Sequence, residues 1–275
     1  MKDSKIRWTD DTWNAITGCT EITEGCDHCY ARVIAEKFRS TAFPNGFDPT
    51  YKPHKLSEPA RKRQPRRFFV NSLSDMHHEA WTTEQVDSMY DVMLDNPRHD
   101  YLVLTKRPQA MARYFLGADA RLGNGEQGWL VRRGLAEVPG HIWLGCTIEL
   151  DKYAFRARHL RRIPAVVRFL SCEPLLGPLP SLDLTGIAWV IVGGESGNNS
   201  PDFRPMDLAW ATDLWRRCQD SGVAFFGKQD SGRRTELRPD FLGLLVEEFP
   251  LPHPMVHNGV RALGVYPFAH KPSAA

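Results

Sequence analysis

The sequence predicts an α/β protein: a complete or partial (β/α) barrel of parallel strands over residues 1–230, followed by an irregular C-terminal extension over residues 231–275. Three observations predict it. Short apolar runs alternate with helical patterns, as βαβ units and a parallel sheet require. Six or more such units fall within about 230 residues, the span of an α/β barrel. The apolar runs end in TGC, NSLSD, TKR, TIE, SCE, GGES and KQ. A barrel converges its strand ends on one mouth, so polar groups recurring there point to an enzyme.

The elements follow in order. Trp8 to Thr17 is enriched in Trp, Ile and Thr and precedes Gly18-Cys19, which suits a short strand running into a loop. YARVIAEKFRS, from Tyr30, carries Val33, Ile34, Lys37 and Phe38 at helical spacing. Thr41 to Gln64 has no clear period and is expected to be irregular. RFFVNSLSD supplies a strand from about Phe68 to Asn71, and Thr82 or Thr83 caps a helix with Val86, Met89, Tyr90 and Met93 on one face, ended by Asn96-Pro97. YLVLTKRP is the next strand, followed by a helix from about Pro108 to Phe115 and a glycine-rich excursion from Gly117 to Gly140. HIWLGCTIE, VVRFLSCEP and IAWVIVGGESG are the fourth, fifth and sixth strands. An arginine-rich helix carrying Tyr153, Phe155 and Leu160 follows the fourth. A helix from about Met206 to Asp220 and a seventh strand, VAFFGKQ, complete the pattern.

Composition narrows the class. The 275 residues are 42% hydrophobic and 25% charged, ordinary globular values, and a net charge of +2 selects no partner. No run approaches the roughly 18 apolar residues of a membrane span, and MKDSKIRWTDDTW has no apolar leader core. Six cysteines in so long a chain do not make a disulfide framework. A protein of a reducing cytoplasm, without a membrane, is the expectation.

Three of those cysteines, Cys19, Cys26 and Cys29, share one loop, with six residues between the first two and two between the last two. Three thiolates without an adjacent fourth can hold three irons of a cubane and leave the last open to a small molecule. A structural zinc site completed by His28, His77, His78 or a distant cysteine is the alternative, and dithiol exchange at CDHC a further one. Cys146, Cys172 and Cys218 lie in apolar contexts that suit small core residues. Arg61, Lys62, Arg63, Arg66 and Arg67 form a basic run that would meet nucleic-acid phosphates or simply stay solvated.

With the cysteine loop behind a first strand and a barrel pattern after it, the chain resembles the radical S-adenosylmethionine (SAM) superfamily, although six residues stand where that family's first spacer usually has three. It is most similar to a phage-associated subfamily, through TWNAITGC, the cysteine triplet with Tyr30-Ala31, FVNSLSD, LTKRP, WLGCTIE, FLSCEPLLGP, VIVGGESG and FFGKQ, spanning about Thr12 to Gln229. The resemblance implies a [4Fe-4S] cluster on Cys19, Cys26 and Cys29. It implies reductive cleavage of SAM to methionine and a 5'-deoxyadenosyl radical that acts on an unidentified substrate. Asn71, Ser72, Ser74 and Asp75 would meet the SAM amine, and Thr105 and Lys106 the carboxylate. Thr147 and Ser171, with Glu149 and Glu173, would face ribose or substrate; Gly193 and Gly194 would let the backbone approach, and Glu195 would take a proton or bind a hydroxyl. The same three glutamates could instead pair with barrel arginines. The implied partners are an electron donor such as flavodoxin or ferredoxin and a substrate for which nucleotide or nucleic acid is one option. A non-catalytic, zinc-stapled or cluster-containing binding protein is the rival reading.

Overall fold

A computed structural model describes residue 4 and residues 6–117, 127–197, 200–235, 240, 242–243 and 245–250. Strand β1 (Asp11–Trp13) enters a lobe formed by β2 (Ile16–Thr17), the cysteine loop, α1 (Tyr30–Lys37) and β3 (Thr50–Tyr51). The segment expected to be irregular thus contains β3, which pairs antiparallel with β2. Two residues are too few to leave a period in the sequence. Then come β4 (Arg67–Val70), α2 (Thr83–Asp95), β5 (Asp100–Thr105), α3 (Pro108–Leu116), α4 (Trp129–Arg132), β6 (Ile142–Thr147), α5 (Arg156–Arg161), β7 (Arg168–Cys172), β8 (Trp189–Gly193), α6 (Leu208–Ser221) and β9 (Ala224–Gln229). Of the two caps the sequence offered, Thr82 is the one that caps α2, in a reciprocal box with Gln85. Residues 118–126 of the glycine-rich excursion and 251–275 of the C-terminal extension lie outside the described residues.

Seven strands form one parallel sheet in the order β1-β4-β5-β6-β7-β8-β9. This is a partial barrel: order in the sheet follows order in the chain, and the edges β1 and β9 do not pair with each other. Side chains alternate between two cores. Phe68, Val70, Tyr101, Val103, Leu144 and Val190 face the layer packed with helices. Phe69, Leu102, Trp143, Phe169, Trp189, Ile191 and Phe226 face inward with Trp8. Gly145 leaves the interior space that the Phe169 ring fills, since a Cβ there would lie 2.4 Å from the ring.

The inward aromatics form a plug in the lower part of the barrel. Trp8 meets Phe69 at 4.7 Å and Trp189 at 6.3 Å between ring centroids, and Trp189 meets Phe249 at 5.3 Å. Arg67, at the start of β4, stacks over Phe249 at 4.1 Å. The basic run therefore lies at the end of the barrel opposite the strand termini. Lys62 there pairs with Asp11 at 2.7 Å, while Arg61 and Arg63 stay exposed. Residues Val246 to Glu248 run along β9, with Gly227 N donating to Val246 O and Glu248 N to Phe225 O. Arg7 donates to Lys228 O at 2.9 Å and pairs with Glu247, reaching from the β1 side to the β9 side.

Candidate functional site

The inward row continues past each strand end, because side chains two apart share a face. Beyond Leu104 stands Lys106, beyond Gly145 stand Thr147 and Glu149, beyond Phe169 stand Ser171 and Glu173, and beyond Ile191 stand Gly193 and Glu195. Beyond Phe226 stands Lys228, next to a register shift between β8 and β9. Strand periodicity thus converges groups that are far apart in sequence.

Each mouth carboxylate has its own cation. Glu149 is fully buried and accepts from Thr23 Oγ1 at 2.7 Å, from Lys106 Nζ, and from Arg156 at 2.8 Å. Burial alone would push its carboxyl up, but the charges of Lys106 and Arg156 and the hydrogen bonds overcome that and hold it below the usual range. Glu195, also buried, takes a forked contact from Arg204 and meets His28 Nδ1 at 2.8 Å. Asp75 accepts from Thr105 Oγ1 at 2.7 Å, Lys106 N at 3.0 Å and Arg107 at 3.1 Å, locking the end of β4 to the end of β5. Glu173 pairs with Lys228 at 2.9 Å and accepts from Ser171 Oγ at 3.1 Å. Glu173 is the most exposed of these carboxylates, its side chain 13% exposed against 8% for Asp75, 4% for Glu195 and 0% for Glu149.

The same groups dock the cysteine loop. Thr23 reaches Glu149, His28 reaches Glu195, and Arg204 also donates to Glu24 O at 2.9 Å and pairs with Asp27 at 3.2 Å. Arg107 donates to Thr20 O at 3.2 Å and to Cys19 Sγ at 3.5 Å. Gly25 lies so close to Glu149 that a Cβ would sit 2.5 Å from Oε1. Cys29 opens α1, and Cys19 and Cys29 pack beside Phe43, Phe47 and Leu73. Burial first, then the Asp75 charge, push the Cys19 thiol up to about 11 against the pull of Arg107.

The predicted site residues divide accordingly. Lys106 joins Glu149, Thr105 joins Asp75, and Ser171 and Gly193 adjoin Glu173; a Cβ on Gly193 would lie 2.9 Å from Glu173 Oε1. Thr147 offers its carbonyl to Arg156 at 2.8 Å. Asn71, Ser72, Ser74 and Gly194 are engaged in the frame. Asn71 adopts a left-handed backbone (φ 57°) and accepts from Ile16 N through Oδ1; Ser72 and Ser74 donate to Asn14 and Ile16 O. Gly194 is pressed against Ser231, where a Cβ would stand 2.3 Å from N. Arg156, Arg204, Lys228 and Thr23 carried no sequence role. Thr23 is four residues from Cys19, and parity with Phe226 marks Lys228; nothing local marks the two arginines.

Cys19, Cys26 and Cys29 are free thiols on one loop at the mouth, whereas Cys146, Cys172 and Cys218 are buried in the sheet and helix core. Among the described residues no group of three or more His, Cys, Asp and Glu is gathered as a ready metal shell. The donor chemistry nonetheless fits three thiolates without a fourth protein ligand. His28 is held by Glu195, and its Nε2 lies 3.8 Å from Asp202. Buried His77 bonds Tyr90 OH at 3.1 Å. His78 accepts from Ala80 N through Nδ1 and donates to Thr20 Oγ1 through Nε2 at 2.8 Å. Only His78 has both ring nitrogens in hydrogen bonds; His28 and His77 each have one. The described helices include none long and apolar enough to cross a membrane.

Residues 3–250 match a family model described as a protein of unknown function. No curated protein and no solved structure matches the chain.

Proposed function

The chain belongs to the family of unknown function DUF5131, and from that premise we propose that it is a radical SAM enzyme. In this reading Cys19, Cys26 and Cys29 would hold a [4Fe-4S] cluster, with SAM bound beside it. When bound, the cluster supplies the electron that cleaves SAM. The observation that carries the reading is the loop itself: three free thiols at the mouth of a parallel partial barrel.

The chain's own groups then have distinct tasks. Glu149, Glu195, Arg107 and Arg204 are positioning residues, because their contacts run to the cysteine loop. This docked frame would limit where the loop can settle around a bound cluster. Glu173, the most exposed of the mouth carboxylates, faces cofactor or substrate with its partner Lys228 and with Ser171 and Gly193 beside it. The plug of Trp8, Trp143, Phe169 and Trp189 excludes water from below. An electron donor would reach the cluster from the exposed side of the cysteine loop.

The test is anaerobic reconstitution with iron and sulfide, followed by measurement of bound metal and of 5'-deoxyadenosine after chemical reduction with SAM. About four irons per chain are expected, with 5'-deoxyadenosine that disappears in Cys26→Ala. One tightly held zinc with no SAM cleavage would overturn the reading in favour of a zinc-stapled binding protein.

A further inference from the structure

The exposed flank of α5 takes no part in the contacts above. Phe155, Arg158, His159 and Arg162 recur at three- and four-residue spacing and so share one helical stripe. Phe155 is 43% exposed, and its ring meets that of His159 edge-on at 6.1 Å. Arg158 and Arg162 are exposed, and neither forms an ion pair among the described residues. Partial burial and then these two positive charges hold His159 below its ordinary value, so both guanidinium groups act near the same ring.

A surface groove borders the stripe at Phe155 and Arg158, lined by these two with Lys152 and Arg161 and by Asp151 and Asp183. The two carboxylates are already engaged. Asp151 accepts from Ser181 N at 2.8 Å and Ser181 Oγ at 2.7 Å; Asp183 accepts from Thr185 N at 2.9 Å and pairs with Arg161 at 2.8 Å. What remains on offer is a flat apolar ring flanked by guanidinium groups. At one end Lys152 and Tyr153 hold Glu24 of the cysteine loop, so the groove runs toward the barrel mouth.

We propose that this exposed flank binds single-stranded nucleic acid, with a base stacked on Phe155 and adjacent phosphates met by Arg158 in the groove and Arg162 beside it. An exposed ring between cations suits a strand whose bases are unstacked, since a duplex hides the faces of its bases. An acidic peptide would use the arginines and leave the ring idle. The site needs no cluster, so its success or failure is separate from that of the SAM reading.

The experiment is fluorescence anisotropy of labelled oligo(dT) of about twelve nucleotides, and of an RNA of the same length, titrated with the full chain across a salt series. Binding that weakens with salt is expected. Phe155→Ala should weaken it at least about fivefold. Arg158→Ala should lower the salt slope by about one, and Arg158→Glu with Arg162→Glu should cost about tenfold or more. Arg61→Glu with Arg63→Glu, at the far end of the barrel, should leave it unchanged. All these side chains are exposed, and circular dichroism checks that each variant folds. The relative affinity for DNA and RNA identifies the strand preferred. No binding by the wild type, loss through Arg61 and Arg63 instead of Arg158 and Arg162, or equal affinity for a blunt duplex with Phe155→Ala silent would each overturn the proposal.

Discussion

Glu149 is a carboxylate that stays buried because its oxygens are engaged by Lys106, Arg156 and Thr23. Glu149→Gln keeps the shape but strands two cations, so it should cost about 3 kcal/mol in urea unfolding at neutral pH. The sign with pH follows from the depressed carboxyl. The folded state holds this proton more weakly than the unfolded chain, so the stabilisation is complete above the ordinary value of 4.5 and fades as pH falls through the folded value. The gap between wild type and Glu149→Gln should therefore narrow on acidification. His77 works earlier in the same descent. Burial pushes its imidazole from 6.5 to about 4, so between those values the unfolded chain takes a proton that the folded chain refuses, and stability falls. His77→Gln should flatten that part of the urea midpoint's pH profile, while losing about 1 kcal/mol at neutral pH with the Tyr90 hydrogen bond. At this scale the sequence was legible where strand periodicity carried the meaning, as with the polar strand ends that meet at one mouth. It was silent on Arg156 and Arg204, because an arginine's partner is decided by where a distant loop comes to rest.

Among the elements, the strands were readable because a sheet buried on both faces demands near-continuous apolar runs. The arginine-rich helix is shorter than its sequence pattern: a 3-10 turn occupies Asp151–Tyr153, and α5 starts only at Arg156. Arg156 itself is drawn inward to Glu149, which no surface helical pattern signals. Gly145 shows how one strand constrains the next. It stands in an inward row of β6 opposite Phe169 of β7, and its missing side chain is filled by that ring. Gly145→Ala should cost about 2 kcal/mol through overpacking. Combining it with Phe169→Leu should cost less than the sum of the two single changes, because the smaller side chain yields the space; a double-mutant cycle measures that coupling. Additivity would mean that the two residues do not compete for one volume.

Across the whole molecule, stability and chemistry separate along the barrel axis. The lower part is the aromatic plug, closed on the open side by Arg7, Glu247 and Phe249; the upper part is the ring of charge pairs beneath the cysteine loop. The seven-strand sheet could be anticipated from the run of βα units. Its closure could not, because the pieces that cover the gap come from Arg7 near one end of the chain and Val246 to Phe249 near the other, neither of which has a periodic pattern. Phe249 tests the separation. Its ring lies on Arg67, Trp189 and Phe226, so Phe249→Ala removes partly buried apolar surface and should cost about 2 kcal/mol. The change should lower the thermal midpoint and alter tryptophan fluorescence through Trp189. Iron uptake on reconstitution should stay at the wild-type level, since none of these contacts reaches Thr23, Cys26 or Arg204. A variant that lost stability and iron together would mean that the plug transmits its packing to the mouth, and that the two ends of the barrel are one cooperative unit.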